Sequence, residues 1–463
     1  MNLQTAWQKQ EETVKRLKKE RPELIISQKQ RREEDVFNEV GILNMPQNRP
    51  LAYLRLFFED FIVEEITADN KIVRVNEIGN NNHERGEKEK TLYAHLIKMG
   101  LTTNAAVEKV AQELEFSGAI GYAGLKDDKA ITAQLIAMRK GRLSIEEIEK
   151  KEMQNIILTN FYFGKDNIRP GYLKGNLFTI TARTKDEVNE GELAIKLENI
   201  GKYGILNYYQ SQRFGGVRLD SHKIGKLIMR GNYELAIRYL LFKTNEYEMP
   251  LIKELKNQAE KIYPDWPEII KLFEKLPYSF MYELKAANFL KNHPKDYIGA
   301  LREIKDSITM CLYAYSSLLF NKYLSEYSAS RGCIDEEFPL LISSDSSDSL
   351  IYKKYLAEDG TENFLKNLLP LKITYLARRK VRGRIFPENI GFKIFPAGAV
   401  ISFSLPKGAY ATTFLANIFE LYEDEPIPEW VKDTEIDAKE LLGQGNLKEI
   451  KEKFKDKWHV KIF

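Results

Sequence analysis

The chain has few of the residues that metal sites and disulfide frameworks require. Cys311 and Cys333 are the only cysteines among 463 residues, and the five histidines are scattered. Two cysteines are too few for a disulfide framework, and neither is accompanied by histidines at metal-ligand spacing. We therefore expect a cytoplasmic protein without a metal site, and the scattered histidines argue against Ser-His-Asp catalysis.

Long hydrophobic runs and an excess of one charge are also missing. No apolar run approaches the roughly 20 residues that a membrane helix needs, and the first residues alternate Lys, Arg and Glu, so we expect neither a signal peptide nor membrane binding. Lys+Arg 70 against Asp+Glu 67 gives a net charge of +3. Nucleic-acid binding would therefore depend on local basic patches.

One stretch combines glycines, cations and a carboxylate: Gly121-Tyr-Ala-Gly-Leu-Lys-Asp-Asp-Lys-Ala-Ile-Thr-Ala-Gln134. Its glycines allow tight turns and close approach by another molecule. Lys126 and Lys129 place positive charge beside Asp127, which makes Asp127 a candidate ionised nucleophile. The alternative is a polar turn in which Asp127 bonds only to its own backbone.

Further motifs follow in order along the chain. They are Glu59-Asp-Phe-Ile-Val-Glu64, Lys98-Met-Gly-Leu-Thr-Thr103, Leu173-Lys-Gly-Asn-Leu-Phe178, Asn207-Tyr-Tyr-Gln-Ser-Gln-Arg-Phe-Gly215 and Phe403-Ser-Leu-Pro-Lys-Gly-Ala-Tyr-Ala-Thr412. Asn176 reads as a turn residue or a polar contact to the site. The basic segment at 378–384 carries five cations and no acid, which favours contact with phosphates: Arg378, Arg379, Lys380, Arg382 and Arg384.

The Asp127 stretch and these motifs together resemble the TruD family of tRNA pseudouridine synthases. The resemblance extends from about residue 51 to residue 412 and is nearer to the longer archaeal and eukaryotic type. It implies an α+β fold, the pseudouridine-synthase catalytic fold: an antiparallel-rich mixed sheet with flanking helices and an inserted TRUD domain. It also implies isomerisation of uridine to pseudouridine, at tRNA position 13, without a cofactor.

The resemblance also implies roles for individual residues. Asp127 is the expected catalytic residue, Tyr209 is expected to stack on the target base, and Asn207 to hold the Asp127 loop or the substrate. Lys126, Arg55 and Arg213 are expected to tune the acid or bind phosphates, and Phe214 and Asn176 to contribute to substrate binding. The expected partner is tRNA or another structured RNA, and we expect a monomer.

Five positions depart from the family pattern, and one of them is Thr102, where asparagine is common. Phe58 stands where proline is usual, Arg55 where lysine is usual, Gln210 where glycine is usual, and Asp128 where a basic residue is usual. The residues are also compatible with two other functions. The first is a carboxylate-dependent hydrolase that uses Asp127 with Glu59 or Glu64. The second is a non-catalytic RNA-binding protein on the same scaffold.

The patterning predicts five segments. They are a charged helical extension lying on the surface (1–48), the first part of the catalytic domain (49–216), the inserted TRUD domain (217–372), the second part of the catalytic domain (373–425) and a helical tail (426–463). Strands are predicted at 51–56, 61–66, 91–98 and 131–138, and Thr103 and Gly201 are predicted helix caps. In the tail, Leu447, Ile450, Phe454 and Trp458 form one stripe that we expect to dock on the body.

Overall fold

The computed structural model describes residues 3–27, 29–84, 90–139, 144–331, 335–341, 349–373, 380–423 and 425–462. The strands are β1 (Leu51–Tyr53), β2 (Phe61–Thr67), β3 (Thr91–Met99), β4 (Ile120–Tyr122), β5 (Ile131–Arg139), β6 (Ile156–Gly164), β7 (Leu173–Thr184), β8 (Ile205–Leu206), β9 (Glu337–Pro339), β10 (Lys380–Arg382), β11 (Arg384–Ile385), β12 (Glu388–Phe395), β13 (Gly398–Pro406) and β14 (Glu420–Tyr422).

The α-helices are α1 (Leu3–Glu20), α2 (Glu33–Glu39), α3 (Thr103–Glu113), α4 (Ile145–Glu149), α5 (Glu190–Tyr203), α6 (Ser221–Met229), α7 (Tyr233–Phe242), α8 (Pro250–Lys261), α9 (Trp266–Phe273), α10 (Met281–Asn292), α11 (Tyr297–Glu303), α12 (Lys305–Arg331), α13 (Lys353–Glu358), α14 (Phe364–Leu368), α15 (Ala411–Ala416), α16 (Ala438–Leu441) and α17 (Lys448–Lys453). None of the helices within the described residues is both long and apolar enough to cross a membrane.

The chain divides into two compact units. The helical unit comprises Met1–Met45 and Leu206–Arg384, and the sheet unit comprises Pro46–Ile205 and Ile385–Phe463. The five segments predicted from the sequence stay predictions. Within the helical unit, α6 and α12 lie so close together that a Cβ on Gly225 would be only 2.1 Å from the carbonyl oxygen of Cys311. This contact requires glycine in α6.

The sheet unit is built on a ten-stranded mixed sheet. Its main path runs β12-β13-β7-β2-β5-β3-β6, with β4 paired to β5 and β1 paired to β7 and β14. Only the β2–β5 and β1–β14 pairs are parallel. The predicted antiparallel-rich mixed sheet with flanking helices is therefore confirmed.

Both faces of this sheet are covered, as alternate side chains of its strands show. Phe61 and Val63 of β2 pack with Leu193 and Leu197 of α5. Ile62, which points to the opposite face, packs in another cluster with Leu447, Ile450, Phe454 and Trp458. The predicted apolar stripe of the C-terminal tail thus forms part of the core of the sheet unit.

Several local predictions are wrong at element ends. The cap of α3 is Thr102, whose hydroxyl accepts from the Ala105 amide, and Thr103 is the first helical residue. Helix α5 continues past Gly201 to Tyr203, and its C-terminal cap is Gly204, whose φ of 68° suits glycine. Asn176 lies within strand β7 rather than in a turn, and the first predicted strand covers only Leu51–Tyr53.

The N-terminal segment is two helices rather than one charged surface helix. Helix α1 is largely solvated, but Phe37, Val40 and Ile42 are buried in and after α2. The Asn321 side chain donates to the carbonyl oxygen of Val40 at 2.9 Å. These contacts anchor the end of the segment within the helical unit.

Candidate active site

Asp127 lies on the loop between β4 and β5, at the edge of the sheet unit. Its side chain is 43% exposed, whereas the neighbouring Lys126 is buried. One carboxylate oxygen, Oδ2, accepts a hydrogen bond from Nη2 of Arg55 at 2.9 Å. The predicted nucleophile is therefore an accessible carboxylate whose orientation is set by one guanidinium.

Arg55 is built into the fold between β1 and β2. Its φ of 59° is unusual for a residue other than glycine. The guanidinium carbon lies 4.0 Å from the ring centroid of Phe61, and Nη1 lies 3.5 Å from Oε2 of Glu423. The side chain is only 7% exposed. Arg55 is thus a nearly immobile cation aimed at Asp127, although the sequence alone did not show which cation would take that place.

A buried lysine of β3 holds the backbone of the same loop. Nζ of Lys98 donates to the carbonyl oxygens of Asp127 at 2.8 Å and Leu101 at 2.5 Å. Burial lowers the pKa of Lys98 to about 8, while the negative charges of Asp127 and Asp128 act in the opposite direction. Lys98 therefore fixes the position of the Asp127 main chain without touching its carboxylate.

The residue before Asp127 is fixed by a second buried pair. Nζ of Lys126 lies 2.7 Å from Oε2 of Glu65 in β2, and both side chains are almost fully buried. The ammonium of Lys126 is thus bound to Glu65 rather than to the Asp127 carboxylate, and its predicted contact with phosphates stays a prediction. Lys126 contributes to the site by holding the loop.

A polar chain completes the support of this loop. The Lys126 amide donates to the Thr103 hydroxyl at 2.9 Å, and that hydroxyl donates to Oε1 of Gln134 at 3.0 Å. The Gln134 amide then donates to the Gly124 carbonyl oxygen at 3.1 Å. The first residue of α3 and a residue of β5 thereby hold both the start and the middle of the loop.

Asn176 belongs to the sheet unit and stands opposite Glu65 of β2 and Leu405 of β13 in the sheet register. Its Oδ1 atom is buried and has no hydrogen-bond partner among the described residues. Its role in substrate binding stays a prediction.

The other predicted substrate-binding residues belong to the helical unit. Asn207 donates through its side chain to the Arg382 carbonyl oxygen at 3.0 Å, and Asn321 bonds both the amide and the carbonyl oxygen of Tyr209. Arg213 lies 5.0 Å from the Tyr209 ring centroid, and Phe214 is fully buried. Their contacts are structural in this conformation, and their roles toward RNA stay predictions.

The predicted basic segment is described only in part, since Arg378 and Arg379 lie outside the described residues. Lys380 and Arg382 are exposed on β10, and Nε of Arg382 lies 3.6 Å from Oε1 of Glu337. Arg384 is partly buried. Contact of this segment with phosphates stays a prediction.

Lys98, Glu65 and Glu423 have contacts near the site that were not predicted from the sequence. A signal was nevertheless present, because Lys98 and Glu65 interrupt strands whose other residues are mostly apolar. Charged residues are almost never fully buried unless they are paired. Within the described part of the chain, no group of three or more His, Cys, Asp or Glu side chains is arranged to hold a metal ion.

Comparisons with known proteins place the chain in a family. The family model for tRNA pseudouridine synthase D (TruD) matches residues 51–339. The chain is 29% identical over 416 residues to a probable tRNA pseudouridine synthase D 2 of Methanocaldococcus jannaschii, covering 79% of this chain and 91% of that relative. It is 26% identical over 381 residues to tRNA pseudouridine synthase D of Aquifex aeolicus, covering 72% and 93%.

A solved structure supports the fold. The crystal structure of the putative tRNA pseudouridine synthase D from Methanosarcina mazei matches with a TM-score of 0.63 at 24% identity, covering 83% of this chain and 98% of that one. Since the family model also spans more than half of the chain, the family predicted from the motifs is confirmed. The chain belongs to the TruD family of tRNA pseudouridine synthases, enzymes that isomerise uridine in tRNA.

Proposed function

We propose that this protein converts the uridine at position 13 of tRNA to pseudouridine, with Asp127 as the catalytic residue and no cofactor. The observation that carries the proposal is the contrast within one loop. The Lys126 ammonium is bound to Glu65, and the loop backbone is bound to Thr103 and Lys98. The Asp127 carboxylate, in contrast, is exposed to solvent while it is paired with the buried Arg55. Such an arrangement presents one oriented carboxylate to a substrate.

The reaction is an exchange of bonds within one nucleotide. The bond from the sugar C1′ to N1 of uracil breaks, a bond from C1′ to C5 forms, C5 loses a proton, and N1 gains one. No net oxidation occurs. A carboxylate can act as the nucleophile toward the nucleotide or as the base during rearrangement, and Arg55 would hold Asp127 in the orientation that either role requires.

The target uridine must leave its base stack before the carboxylate can reach it, at a cost of a few kcal/mol. Binding of neighbouring phosphates and bases by the protein would offset this cost. Exposed cations are therefore expected to matter more for affinity than for the chemical step.

The hydrolase alternative requires a second accessible acid, and neither candidate provides one. Glu59 is buried and accepts from the His459 amide at 3.0 Å, and burial raises its pKa to about 7. Glu64 is buried and lies 2.7 Å from Nζ of Lys439. Both carboxylates are engaged in packing the C-terminal tail, so the arrangement favours a reaction with one carboxylate.

The test is release of tritium from tRNA transcribed with uridine labelled at C5. The wild type is expected to release tritium, Asp127→Asn to release none, and the matched control Asp128→Asn to retain activity, because Asp128 is the exposed neighbouring acid. A transcript with cytidine at position 13 should release nothing above background. Equal release by the wild type and Asp127→Asn would refute the role of Asp127, and silence of all variants on several tRNAs would favour the non-catalytic RNA-binding protein.

The same proposal includes a cytoplasmic monomer, because the chain uses only two cysteines and already contains all the residues that hold Asp127. Light scattering on the purified protein tests the second point, since a particle of twice the chain mass would contradict it.

A further inference from the structure

Two large apolar side chains are exposed on loops at the Asp127 edge of the sheet unit. Leu125, two residues before Asp127, is 70% exposed, and Tyr172, on the loop before β7, is 66% exposed. Neither side chain helps to hold Asp127. An exposed leucine and an exposed tyrosine therefore lie on neighbouring loops, where they can contact a binding partner.

The loops that carry them are joined by backbone hydrogen bonds. The Gly171 amide donates to the Ala123 carbonyl oxygen at 2.6 Å, which ties the Tyr172 loop to the Asp127 loop. Nζ of Lys407 donates to the Gly171 carbonyl oxygen at 2.9 Å, and the Lys407 amide donates to the Lys174 carbonyl oxygen at 3.0 Å. Three loops thus form one continuous edge beside the candidate catalytic residue.

Asp127 and Asp128 are exposed acids of the central loop, and exposed Asp166 precedes the Tyr172 loop, but the segments that flank the site carry positive charge. Residues 167–176 and 404–412 contain three cations and no acid. The three cations, Arg169, Lys174 and Lys407, are all exposed. Cations interleaved with an exposed aromatic ring are the composition of a single-stranded nucleic-acid surface, where the ring stacks on a base and the cations contact phosphates.

We propose that Leu125, Arg169, Tyr172, Lys174 and Lys407 form a docking edge for the tRNA strand that flanks the target uridine. Tyr172 stacks on a neighbouring base, and the three cations bind the backbone phosphates. Leu125 contacts the bases next to the position that the uridine leaves when it enters the site. This inference rests on the proposed function, since it takes Asp127 as the point to which the uridine is delivered.

The first test measures tRNA affinity of the full-length chain with single variants. Tyr172→Ala is expected to weaken the Kd roughly tenfold, and Tyr172→Phe to retain affinity because the ring remains. The matched control is Tyr203→Ala, which removes another exposed tyrosine, 54% exposed, from α5 of the same unit. Wild-type affinity of Tyr172→Ala would overturn the stacking role.

The second test measures the slope of log affinity against log salt concentration. Replacing the three cations by glutamine is expected to reduce the slope by roughly 2, since each phosphate contact on a single strand contributes about 0.7. Because Lys407 also holds Gly171, the double variant of Arg169 and Lys174 is measured separately, with an expected reduction of about 1.4. The control triple variant replaces exposed lysines elsewhere in the sheet unit, Lys185, Lys448 and Lys455.

The third test is kinetic. Leu125→Ala is expected to lower kcat about tenfold on whole tRNA, with Leu125→Met close to the wild type and Ile195→Ala as the exposed apolar control. If the Tyr172 and cation variants bind tRNA with wild-type affinity and slope, the edge serves another partner and the proposal fails. If instead Asp127→Asn stays active, the proposed function fails, but the measurements of tRNA affinity and salt slope still show whether the docking edge binds tRNA.

Discussion

Arg55 and Asp127 form the ion pair on which the proposed chemistry depends. Because the guanidinium is buried against Phe61, it has little freedom to follow a displaced carboxylate. Arginine offers a planar fork of donors, whereas lysine offers a point charge on a flexible stem. Arg55 is therefore expected to hold Asp127 more rigidly than a lysine at this position would.

We predict that Arg55→Met lowers kcat/KM for tRNA on the order of 10²-fold, because a misplaced catalytic group costs about that much. Arg55→Lys is expected to retain part of the activity. Tritium release under steady-state conditions measures both variants. The control is Arg74→Met, which removes a partly exposed arginine paired with Glu77 at 3.3 Å in the same unit. Normal kcat/KM for Arg55→Met would show that Asp127 needs no such partner.

The buried pair of Lys126 and Glu65 leads to a different prediction, about stability. Lys126→Met leaves the Glu65 carboxylate buried without its cation and is expected to cost about 3–5 kcal/mol of unfolding free energy. The double variant Lys126→Met with Glu65→Leu is expected to recover most of this loss. Urea denaturation followed by circular dichroism measures the three proteins.

The exposed pair of Lys71 and Asp69, at 3.0 Å, provides the comparison. Lys71→Met is expected to change the unfolding free energy by no more than about 1 kcal/mol. If Lys126→Met is as stable as the wild type but binds tRNA poorly, Lys126 contacts the substrate, as the sequence suggested, and the structural role is wrong.

At the scale of elements, strand β3 and the Asp127 loop are coupled through Lys98. Burial opposes the charged form of this lysine, so its pKa falls from 10.5 to about 8. The negative charges of Asp127 and Asp128 act to raise this pKa, and the positive charge of Lys126 acts to lower it. Between pH 8 and 10.5, the unfolded chain keeps a proton that the folded chain has lost. The unfolding free energy contributed by Lys98 therefore rises with pH across this window.

We predict that the unfolding free energy of the wild type, minus that of Lys98→Met, increases by about 3 kcal/mol from pH 8 to 10.5. Other lysines titrate in the same way in both proteins, so their effect cancels in the difference. Urea denaturation at half-unit pH steps measures it. A difference that stays constant with pH would mean that Lys98 has an ordinary pKa and that the Asp127 loop is held by other contacts.

At the scale of the whole molecule, the C-terminal tail is part of the sheet unit. Leu447, Ile450, Phe454 and Trp458 are buried against residues of β2, β3 and β5. Nζ of Lys439 also neutralises Glu64 within the sheet at 2.7 Å. Removing the tail would expose this apolar face and leave a buried carboxylate unpaired.

We predict that a chain ending at residue 435 no longer unfolds cooperatively in urea, because one face of the sheet is uncovered. The milder variant Phe454→Ala is expected to cost about 3–5 kcal/mol. Val460→Ala, at an exposed position of the same tail, is expected to change stability by less than about 0.5 kcal/mol. A truncated chain with the wild-type midpoint would show that the tail only rests on the surface.

Local features of this chain are predictable from its sequence, whereas features that depend on distant residues are not. The predicted bounds of β3 and β5 differ from the observed bounds by one residue, because the apolar residues that define each strand are close together in the sequence. Asp127 was found because its flanking glycines and cations lie within one short stretch. Thr103 was misassigned as a cap, since a cap and the first helical residue differ only in backbone conformation. Of the two alternatives for Asn176, the structure excludes only the turn, because the residue lies in a strand whose partners are distant in the sequence.

The family, the type of sheet and the candidate carboxylate were predictable from the sequence, since they depend on local patterns and on the order of motifs along the chain. Only the folded chain shows that Arg55 rather than Lys126 binds the Asp127 carboxylate, and that Lys98 and Glu65 hold its loop. The physical reason is that a side chain's direction and partners depend on which distant strands become neighbours. Charges separated by 72 and 61 residues, as in these two ion pairs, meet only after the sheet has formed.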